Sequence, residues 1–305
     1  MTIDLLGVGS VAVDDLLYVA AYPTADTKAR VLRRERQCGG HTGTALVAAA
    51  RSGLRCAYGG VVGTDELSDV VAQQFERVGV QTEWMAREPA ARVIHSVIVV
   101  EEQRRTRTIF YDLEGTIGVN ENWPPEKAIH SARALCVDHI DAPMTLRATR
   151  IARAAGIPVI ADFEFVSSPL FAELLATVDH LILPHGFAAE LTGCADAADA
   201  AAALWNGNRT LVAVTSGVDG TWWVCADTTT PQHQPAFTVA TIDTTGCGDV
   251  FHGAYAAALV RGAPAATRMR YAAAAAALKA TRPGAQAGIP THEEVEAFLE
   301  GGYRL

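Results

Sequence analysis

Short apolar runs alternate with helix-like segments along most of this 305-residue chain. The runs have the length and composition of buried strands, and several precede segments whose apolar residues recur three and four positions apart. The predicted strands are residues 3–8, 134–137, 159–162, 180–183, 211–215 and 222–225. Strands that alternate with helices form a mostly parallel sheet flanked by helices, so the sequence predicts a doubly wound α/β fold.

Two segments break this alternation, residues 14–37 and 92–111. Both have the pattern of β-hairpins, and neither contains a crossover helix. We therefore predict that residues 1–305 form a single α/β domain into which these segments insert a small β-sheet. A sheet of this kind could act as a lid over the site.

Charge and composition limit the classes of partner and compartment. The chain has 25 Lys+Arg against 34 Asp+Glu, and the net charge of −9 argues against nucleic acid or an anionic membrane as a partner. The six cysteines include no C-x-x-C pair, which favours free thiols in a reducing compartment. The sequence contains no signal-peptide pattern and no apolar run of about 18 residues. We expect a cytoplasmic protein.

The motif DTTGCGD at residues 243–249 runs directly into an apolar helical pattern. Gly246 and Gly248 let the backbone approach a ligand closely, and the N–H groups of a first helical turn attract anions. Asp249 lies among these donors, where a carboxylate could take the proton of an attacking hydroxyl group. Taken alone, the motif also fits a helix whose aspartate complements its own dipole.

A second glycine-rich segment, CGGHTGTA at residues 38–45, precedes another predicted helix. Gly39 and Gly40 allow tight backbone near a ligand, and Thr44 offers a hydroxyl group from the first turn. Asp14 follows the first predicted strand, at the edge where open α/β sheets bind ligands. Taken alone, each of these residues is more often explained by a turn or a helix cap.

Two further segments have a turn-like composition. TSGVDG at residues 215–220 joins two predicted strands and fits either a tight turn or a nucleotide contact. GVGSVA at residues 7–12 satisfies the dinucleotide fingerprint G-x-G-x-x-A, but the residues that follow have a strand pattern rather than the required helix. A dinucleotide-dependent oxidoreductase, which would bind NAD(P), is therefore one alternative.

Taken in order, these segments resemble the ribokinase-like (PfkB) carbohydrate kinases. The C-terminal signature of that family, D-T-x-G-A-G-D, matches residues 243–249 with Cys247 in place of alanine. The resemblance extends over essentially the whole chain. It implies a ribokinase-like fold and a phosphotransferase that uses ATP and Mg²⁺ to phosphorylate a sugar-like alcohol.

The resemblance also assigns roles to individual residues. Asp249 would be the general base, and the catalytic anion hole would consist of the backbone N–H groups of Gly246, Cys247 and Gly248. The groups that hold the substrate would be Asp14, Gly39, Gly40 and Thr44. The residues along the nucleotide would be Thr215, Gly217, Gly220 and Gly248. Some members hold a monovalent cation, here implied to be K⁺, at positions that match Asp243, Thr245, Ala280 and Gly284.

The chain departs from this family at several positions. Thr44 stands where many members carry an asparagine that contacts the sugar. The N-x-x-E motif linked to Mg²⁺ should follow residues 181–184, yet the sequence there is HGFA. A polar nucleotide-contacting residue is replaced by Ala273. The segments GGHTGTA and TRPG are more similar to the sulfofructose-kinase-like branch than to true ribokinases.

These departures leave the substrate open among sugars, sugar acids, sulfosugars and nucleosides. A catalytically silent sugar- or nucleotide-binding sensor of the same fold is a further alternative. Lid strands of this family often pair between protomers, which implies a homodimer. Basic residues of the predicted lid could meet an anionic substrate group or simply be solvated: Lys28, Arg30, Arg33, Arg34, Arg36, Arg104, Arg105 and Arg107.

Overall fold

The computed structural model describes residues 2–104, 106–114 and 122–301. Its strands are β1 Leu5–Val8, β2 Ala12–Val19, β3 Val31–Gly39, β4 Cys56–Tyr58, β5 Val61–Val62, β6 Ala86–Arg87, β7 Ile94–Glu101, β8 Thr106–Asp112, β9 Leu135–Asp138, β10 Val159–Asp162, β11 His180–Pro184, β12 Leu211–Thr215, β13 Thr221–Cys225 and β14 Thr228–Gln234. Its helices are α1 His41–Arg51, α2 Glu66–Val78, α3 Glu126–His130, α4 Ala142–Ala154, α5 Phe171–Ala176, α6 His185–Thr192, α7 Ala197–Leu204, α8 Cys247–Val260, α9 Ala265–Ala280 and α10 His292–Leu299.

The main sheet has eight strands in the order β14-β13-β12-β11-β10-β9-β1-β4. The strands from β12 to β4 pair in parallel, whereas β13 and β14 are antiparallel. The predicted strands are present as β1 and β9 to β13. The predicted doubly wound, mostly parallel sheet is therefore confirmed.

Helices cover both faces of this sheet, and the buried side chains form two separate clusters. Leu5 belongs to the cluster that includes side chains of α1, α8 and α9, whereas Leu6 belongs to the cluster that includes those of α4, α6 and α7. Burial on both faces explains why the strands are continuous apolar runs rather than alternating ones. Within the described ranges, no helix has the length and apolar character that crossing a membrane requires.

The strand order reverses at β1, since the chain continues to β4 on one side and later adds β9 on the other. Such a point opens a crevice outside the carboxyl ends of the strands. Polar residues lie at these ends: Ser10 follows β1, while β9 ends at Asp138 and β10 at Asp162. The topology therefore gathers polar side chains at one edge of the sheet.

A separate four-stranded sheet has the order β3-β2-β7-β8. It consists of the hairpins β2–β3 and β7–β8, joined by a parallel pairing of β2 with β7. The predicted small second sheet is confirmed, and we refer to it as the lid sheet. The segment after Gly9 enters strand β2, so the helix that a dinucleotide fingerprint requires is not formed there.

Helices α1 and α8 approach each other closely at Gly253. A Cβ atom on Gly253 would lie 2.2 Å from the carbonyl oxygen of Ala45 and 2.7 Å from the Cβ of Ala48. Each helix begins directly after a glycine, Gly40 or Gly246. The contact at Gly253 therefore sets the distance between the two glycine-rich loops.

We expect Gly253→Ala to destabilise the protein by about 1–3 kcal/mol, because overpacking a close helix contact forces the backbones apart. Thermal and urea unfolding measure this change. Gly186→Ala is the matched control, because a Cβ there has nothing within 4 Å. It should leave stability unchanged or raise it by up to about 1 kcal/mol through helix propensity. Equal effects of the two substitutions would contradict the packing argument.

Candidate active site

The glycine-rich loop at residues 243–249 opens helix α8 as predicted. Gly246 is the residue before the helix and has a φ of 76°, a left-handed conformation that favours glycine. Asp249 lies in the first turn, and its side chain is 18 % exposed. The N–H of Cys247 donates to the carbonyl of Thr244 at 3.2 Å, so one predicted anion-hole donor also stabilises the loop.

The segment at residues 38–45 opens helix α1 in a similar way. Gly40 has a φ of 85°, and a Cβ atom there would lie 2.6 Å from the Cα of Val11. A Cβ on Gly39 would lie 2.6 Å from Oδ2 of Asp14, so glycine is what lets this carboxylate sit against the loop. Burial raises the pKa of Asp14, and the charge of Asp249 contributes to the increase. Asp14, Gly39 and Gly40 thus lie together.

Thr44 lies between the two loops. Its side chain is buried, and its hydroxyl oxygen accepts a hydrogen bond from Nε2 of Gln286 at 3.4 Å. A Cβ atom on Gly246 would lie 3.5 Å from Cγ2 of Thr44. Thr44 therefore connects the start of α1 with the start of α8, and its role in binding substrate stays a prediction.

His41 lies among three carboxylates. Its Nδ1 is 3.3 Å from Oδ1 of Asp249 and 3.9 Å from Oδ2 of Asp162, and its Nε2 is 3.7 Å from Oε2 of Glu164. His41 is not among the site residues predicted from the sequence, although it is the first residue of α1 and directly follows Gly39 and Gly40. Its position beside Asp249 makes it part of the site.

The charges of His41 and Asp249 affect each other's protonation. Burial alone would lower the pKa of His41, but Asp249, Asp162 and Asp138 together raise it well above the usual value. Burial raises the pKa of Asp249, and His41 opposes this increase by stabilising the carboxylate. The imidazolium ion therefore helps to keep the candidate base ionised.

Asp162 is held from its other side by His252. Nδ1 of His252 lies 3.2 Å from Oδ2 of Asp162 and 2.9 Å from the carbonyl oxygen of Gly248. Nε2 of the same ring lies 3.1 Å from the carbonyl oxygen of Ile182. His252 therefore ties the first turn of α8 to the ends of β10 and β11.

Asp138 organises the end of strand β1. Its Oδ2 accepts hydrogen bonds from N and Oγ of Ser10 at 2.7 and 2.8 Å, and from Oγ1 of Thr42 at 2.9 Å. Its Oδ1 accepts from the N–H of Ile140 at 3.0 Å. The side chain is fully buried, so these bonds fix the start of α1 relative to the sheet.

One group in the described ranges has the geometry to hold a metal ion: His41, Asp162 and Glu164 offer ligand atoms within 4.8 Å of one another. Carboxylate oxygens are the ligands that Mg²⁺ prefers, so Asp162 and Glu164 fit this ion. The residues at the position of the N-x-x-E motif do not fit Mg²⁺. Nε2 of His185 lies 3.0 Å from the carbonyl oxygen of Ala195, and Ala188 has no ligand atom.

The predicted nucleotide segment lies between β12 and β13. Thr215 ends β12, and a 3₁₀ turn Gly217–Asp219 follows. Gly217 and Gly220 have φ values of 55° and 89°, and a Cβ on Gly220 would lie 2.3 Å from the carbonyl oxygen of Gln234. These glycines are required by the turn itself, and their contact with a nucleotide stays a prediction.

The residues of the implied cation site lie together. Asp243 accepts hydrogen bonds from the N–H groups of Thr245 and Gly284, at 2.9 and 2.8 Å. The carbonyl oxygen of Ala280 accepts from the N–H of Asp243 at 3.1 Å. Burial opposes ionisation of Asp243, but the two N–H groups and the charge of Lys279 hold the pKa of Asp243 below its usual value.

Two arginines of the lid sheet differ in whether they contact the candidate site. Nη1 of Arg107, on β8, donates to Oγ1 of Thr245 in the glycine-rich loop. Arg36, on β3, instead pairs with Asp15 at 2.8 Å and with Glu66 at 3.1 Å. Arg105 lies outside the described residues. The contact of Arg107 therefore joins the lid sheet to the loop that opens α8.

Several residues of the site are not among those predicted from the sequence: His41, Asp138, Asp162, Glu164, His252 and Lys279. Asp138 and Asp162 had a usable signal, since both end strands of a predicted parallel sheet. Lys279 had none, because it lies in the alanine-rich helix α9, and an alanine-rich helical pattern by itself indicates only packing.

Comparison with known proteins agrees with this architecture. The chain is 27 % identical to the ribokinase of Staphylococcus aureus over 310 residues, which covers 97 % of this chain and 99 % of the relative. It is 31 % identical to the ATP-dependent ribose-1-phosphate kinase of Halopiger xanaduensis over 306 residues, with 97 % of each chain covered. The structure of Arabidopsis thaliana ribokinase complexed with ribose and ATP is 22 % identical, covers 98 % of this chain and 99 % of that one, and has a TM-score of 0.87, which shows the shared fold.

The doubly wound sheet, the lid sheet and the loop that opens α8 are those of a ribokinase-like carbohydrate kinase. Residues 4–292 match the family described as pfkB family carbohydrate kinase. The chain belongs to that family.

We expect His41→Gln to move the acid limb of the pH profile of kcat/KM to higher pH. Loss of the imidazolium removes a charge that favours ionised Asp249, so the pKa of Asp249 rises and the base is protonated at higher pH. A pH series, or ¹³C NMR of the Asp249 carboxyl group, measures the shift. His130→Gln, on the exposed end of α3, is the control. An acid limb that stays in place or moves down would contradict the pairing.

Proposed function

We propose that this chain is an ATP-dependent kinase that phosphorylates a hydroxyl group of a sugar or sugar derivative. The observation that carries the proposal is the position of Asp249, in the first turn of α8 directly after the glycine-rich loop and beside His41. A phosphoryl group needs N–H donors for its oxygens, and an attacking hydroxyl needs a base within reach. This loop supplies both.

In this mechanism Asp14 and the backbone at Gly39 and Gly40 hold hydroxyl groups of the substrate. The reacting hydroxyl lies against Asp249, which accepts its proton as the oxygen attacks the γ-phosphoryl group. The N–H groups of the loop at Gly246, Cys247 and Gly248 stabilise the charge on the transferred group, as implied by the position of the loop at a helix start.

The nucleotide lies along the edge that includes Thr215, Gly217 and Gly220. Asp162 and Glu164 would hold Mg²⁺, which offsets the charge of the phosphates when it is bound. Burial raises the pKa of Glu164, and the charge of His41 opposes this increase. The lid sheet excludes water, which limits hydrolysis of ATP without a substrate.

We expect Asp249→Asn to lower kcat by a factor of about a hundred to ten thousand, the usual size of a general-base contribution. ATP binding by calorimetry and the melting temperature should stay close to those of the unmodified chain. Asp227→Asn, an exposed aspartate in the turn between β13 and β14, is the matched control. Unchanged turnover of the Asp249 variant would refute the proposed role.

A coupled assay of ADP release identifies the substrate class. The panel contains sugars, sugar acids, sulfosugars, sugar phosphates and nucleosides, and the relative named as a ribose-1-phosphate kinase is the reason for including sugar phosphates. Release of ADP that depends on a nucleoside alone would favour the nucleoside kinase. Saturable ligand binding without ADP release across the panel would favour the silent sensor, for which the replacement of N-x-x-E by His185 and Ala188 is the supporting observation.

We further propose that the protein acts in the cytoplasm as a homodimer formed through the lid sheet. Strand β8 is at the edge of this sheet and exposes a run of apolar side chains, with Ile109, Phe110 and Tyr111 exposed by 48, 54 and 65 %. An exposed edge with apolar side chains is a surface that a second strand can cover.

Light scattering after gel filtration should give twice the chain mass, and Phe110→Lys should reduce it to that of a monomer, because a buried unpaired charge opposes association. The control is Val218→Lys, at an exposed apolar residue outside the lid sheet. A monomeric unmodified chain would contradict the proposed dimer.

A further inference from the structure

Lys279 is a lysine whose side chain is fully buried in the last turn of α9. Its Nζ donates to the carbonyl oxygen of Asp243 at 2.8 Å and lies 3.8 Å from Oδ2 of the same residue. Burying an ammonium group is costly unless it is paired and hydrogen-bonded. The contacts with Asp243 therefore give this charge a defined position below the glycine-rich loop.

Oxygen atoms of Asp243 and Ala280, two of the residues that would hold K⁺, already accept hydrogen bonds from the protein. Each carboxylate oxygen of Asp243 accepts a backbone N–H, from Thr245 or Gly284. The carbonyl oxygen of Ala280 accepts two N–H groups, from Ile242 at 2.7 Å and Asp243 at 3.1 Å. A carbonyl oxygen has two lone pairs, so both are used. With Nζ of Lys279 beside Asp243, a bound K⁺ would lie next to a second positive charge, so these residues do not fit the ion while Lys279 is present.

We infer that the ammonium group of Lys279 provides, in this chain, the fixed positive charge that K⁺ provides in cation-dependent members of the family. The inference rests on the proposed kinase function. The ammonium group is covalently part of α9, so it is present at every salt concentration, whereas the occupancy of a K⁺ site depends on the concentration of K⁺. Lys279 thereby acts as a positioning residue, which holds Asp243 and with it the loop that carries Asp249.

The unmodified chain gives the first test. Turnover and melting temperature are measured in a tetramethylammonium buffer at constant ionic strength while K⁺ replaces the organic cation. We expect both to be independent of K⁺. A severalfold activation by K⁺, or a melting temperature that rises with K⁺ in a saturable way, would overturn the inference.

Two variants separate the charge from the space that the side chain fills. Lys279→Ala removes both, so a cation can enter, whereas Lys279→Met removes the charge and retains most of the volume. We expect each to lose activity by about tenfold to a hundredfold, the usual loss for a hydrogen bond to a charged group. K⁺ should restore activity and melting temperature in Lys279→Ala, and restore them less in Lys279→Met.

Lys127→Ala is the matched control, since Lys127 is a lysine of α3 whose ammonium group lies over the ring of Trp84, outside the site. It should show no K⁺ dependence. Failure of K⁺ to restore either property of a folded Lys279→Ala would assign Lys279 a packing role alone. If Lys279→Ala does not fold, the K⁺ dependence of the unmodified chain still tests the inference.

The melting-temperature series needs no substrate, so it distinguishes the two proposals. A chain that phosphorylates nothing, yet gains K⁺-dependent stability only on Lys279→Ala, would retain the inference and refute the kinase. A chain that phosphorylates a sugar and is activated by K⁺ would retain the kinase and refute the inference.

Discussion

The contact of helices α1 and α8 at Gly253 is the constraint on which the site depends. Because no side chain separates the helices there, their first turns come close enough for Thr44 to reach Gly246 and for His41 to reach Asp249. The glycine-rich loops are far apart in the sequence. They make one site only because the two helices that they open share this contact.

The site also shows how an acidic chain can build a place for anions. Asp249 and Asp162 lie near the imidazole groups of His41 and His252, and Asp243 lies beside Lys279. Each carboxylate is thus accompanied by a cationic or hydrogen-bonding group of the chain. In the proposed mechanism, the helix-start N–H groups and Arg107, rather than the overall net charge, attract the phosphate oxygens.

The sequence predicts the features that local patterns determine. Buried strands, the two hairpins and the glycines with positive φ follow from apolar runs and turn chemistry, and Asp249 follows from its place after Gly246 and Gly248. The partners of His41 and Lys279 cannot be predicted from local patterns, because helix packing over long sequence separations determines them. The residues that take over from the N-x-x-E motif could not be predicted either, because His185 and Ala188 show only that the asparagine and the glutamate are absent.

The lid sheet is assembled from distant parts of the chain. Strand β2 pairs in parallel with β7, so that Ala12 lies opposite Ile94, and α1, β4 and α2 lie between them in the sequence. Loop closure of this length has to occur before the pairing is gained. During synthesis β2 is made before β7, so one edge of the first hairpin has no partner in the lid sheet until β7 has been added, and the crevice at β1 is complete only once β9 has been added as well.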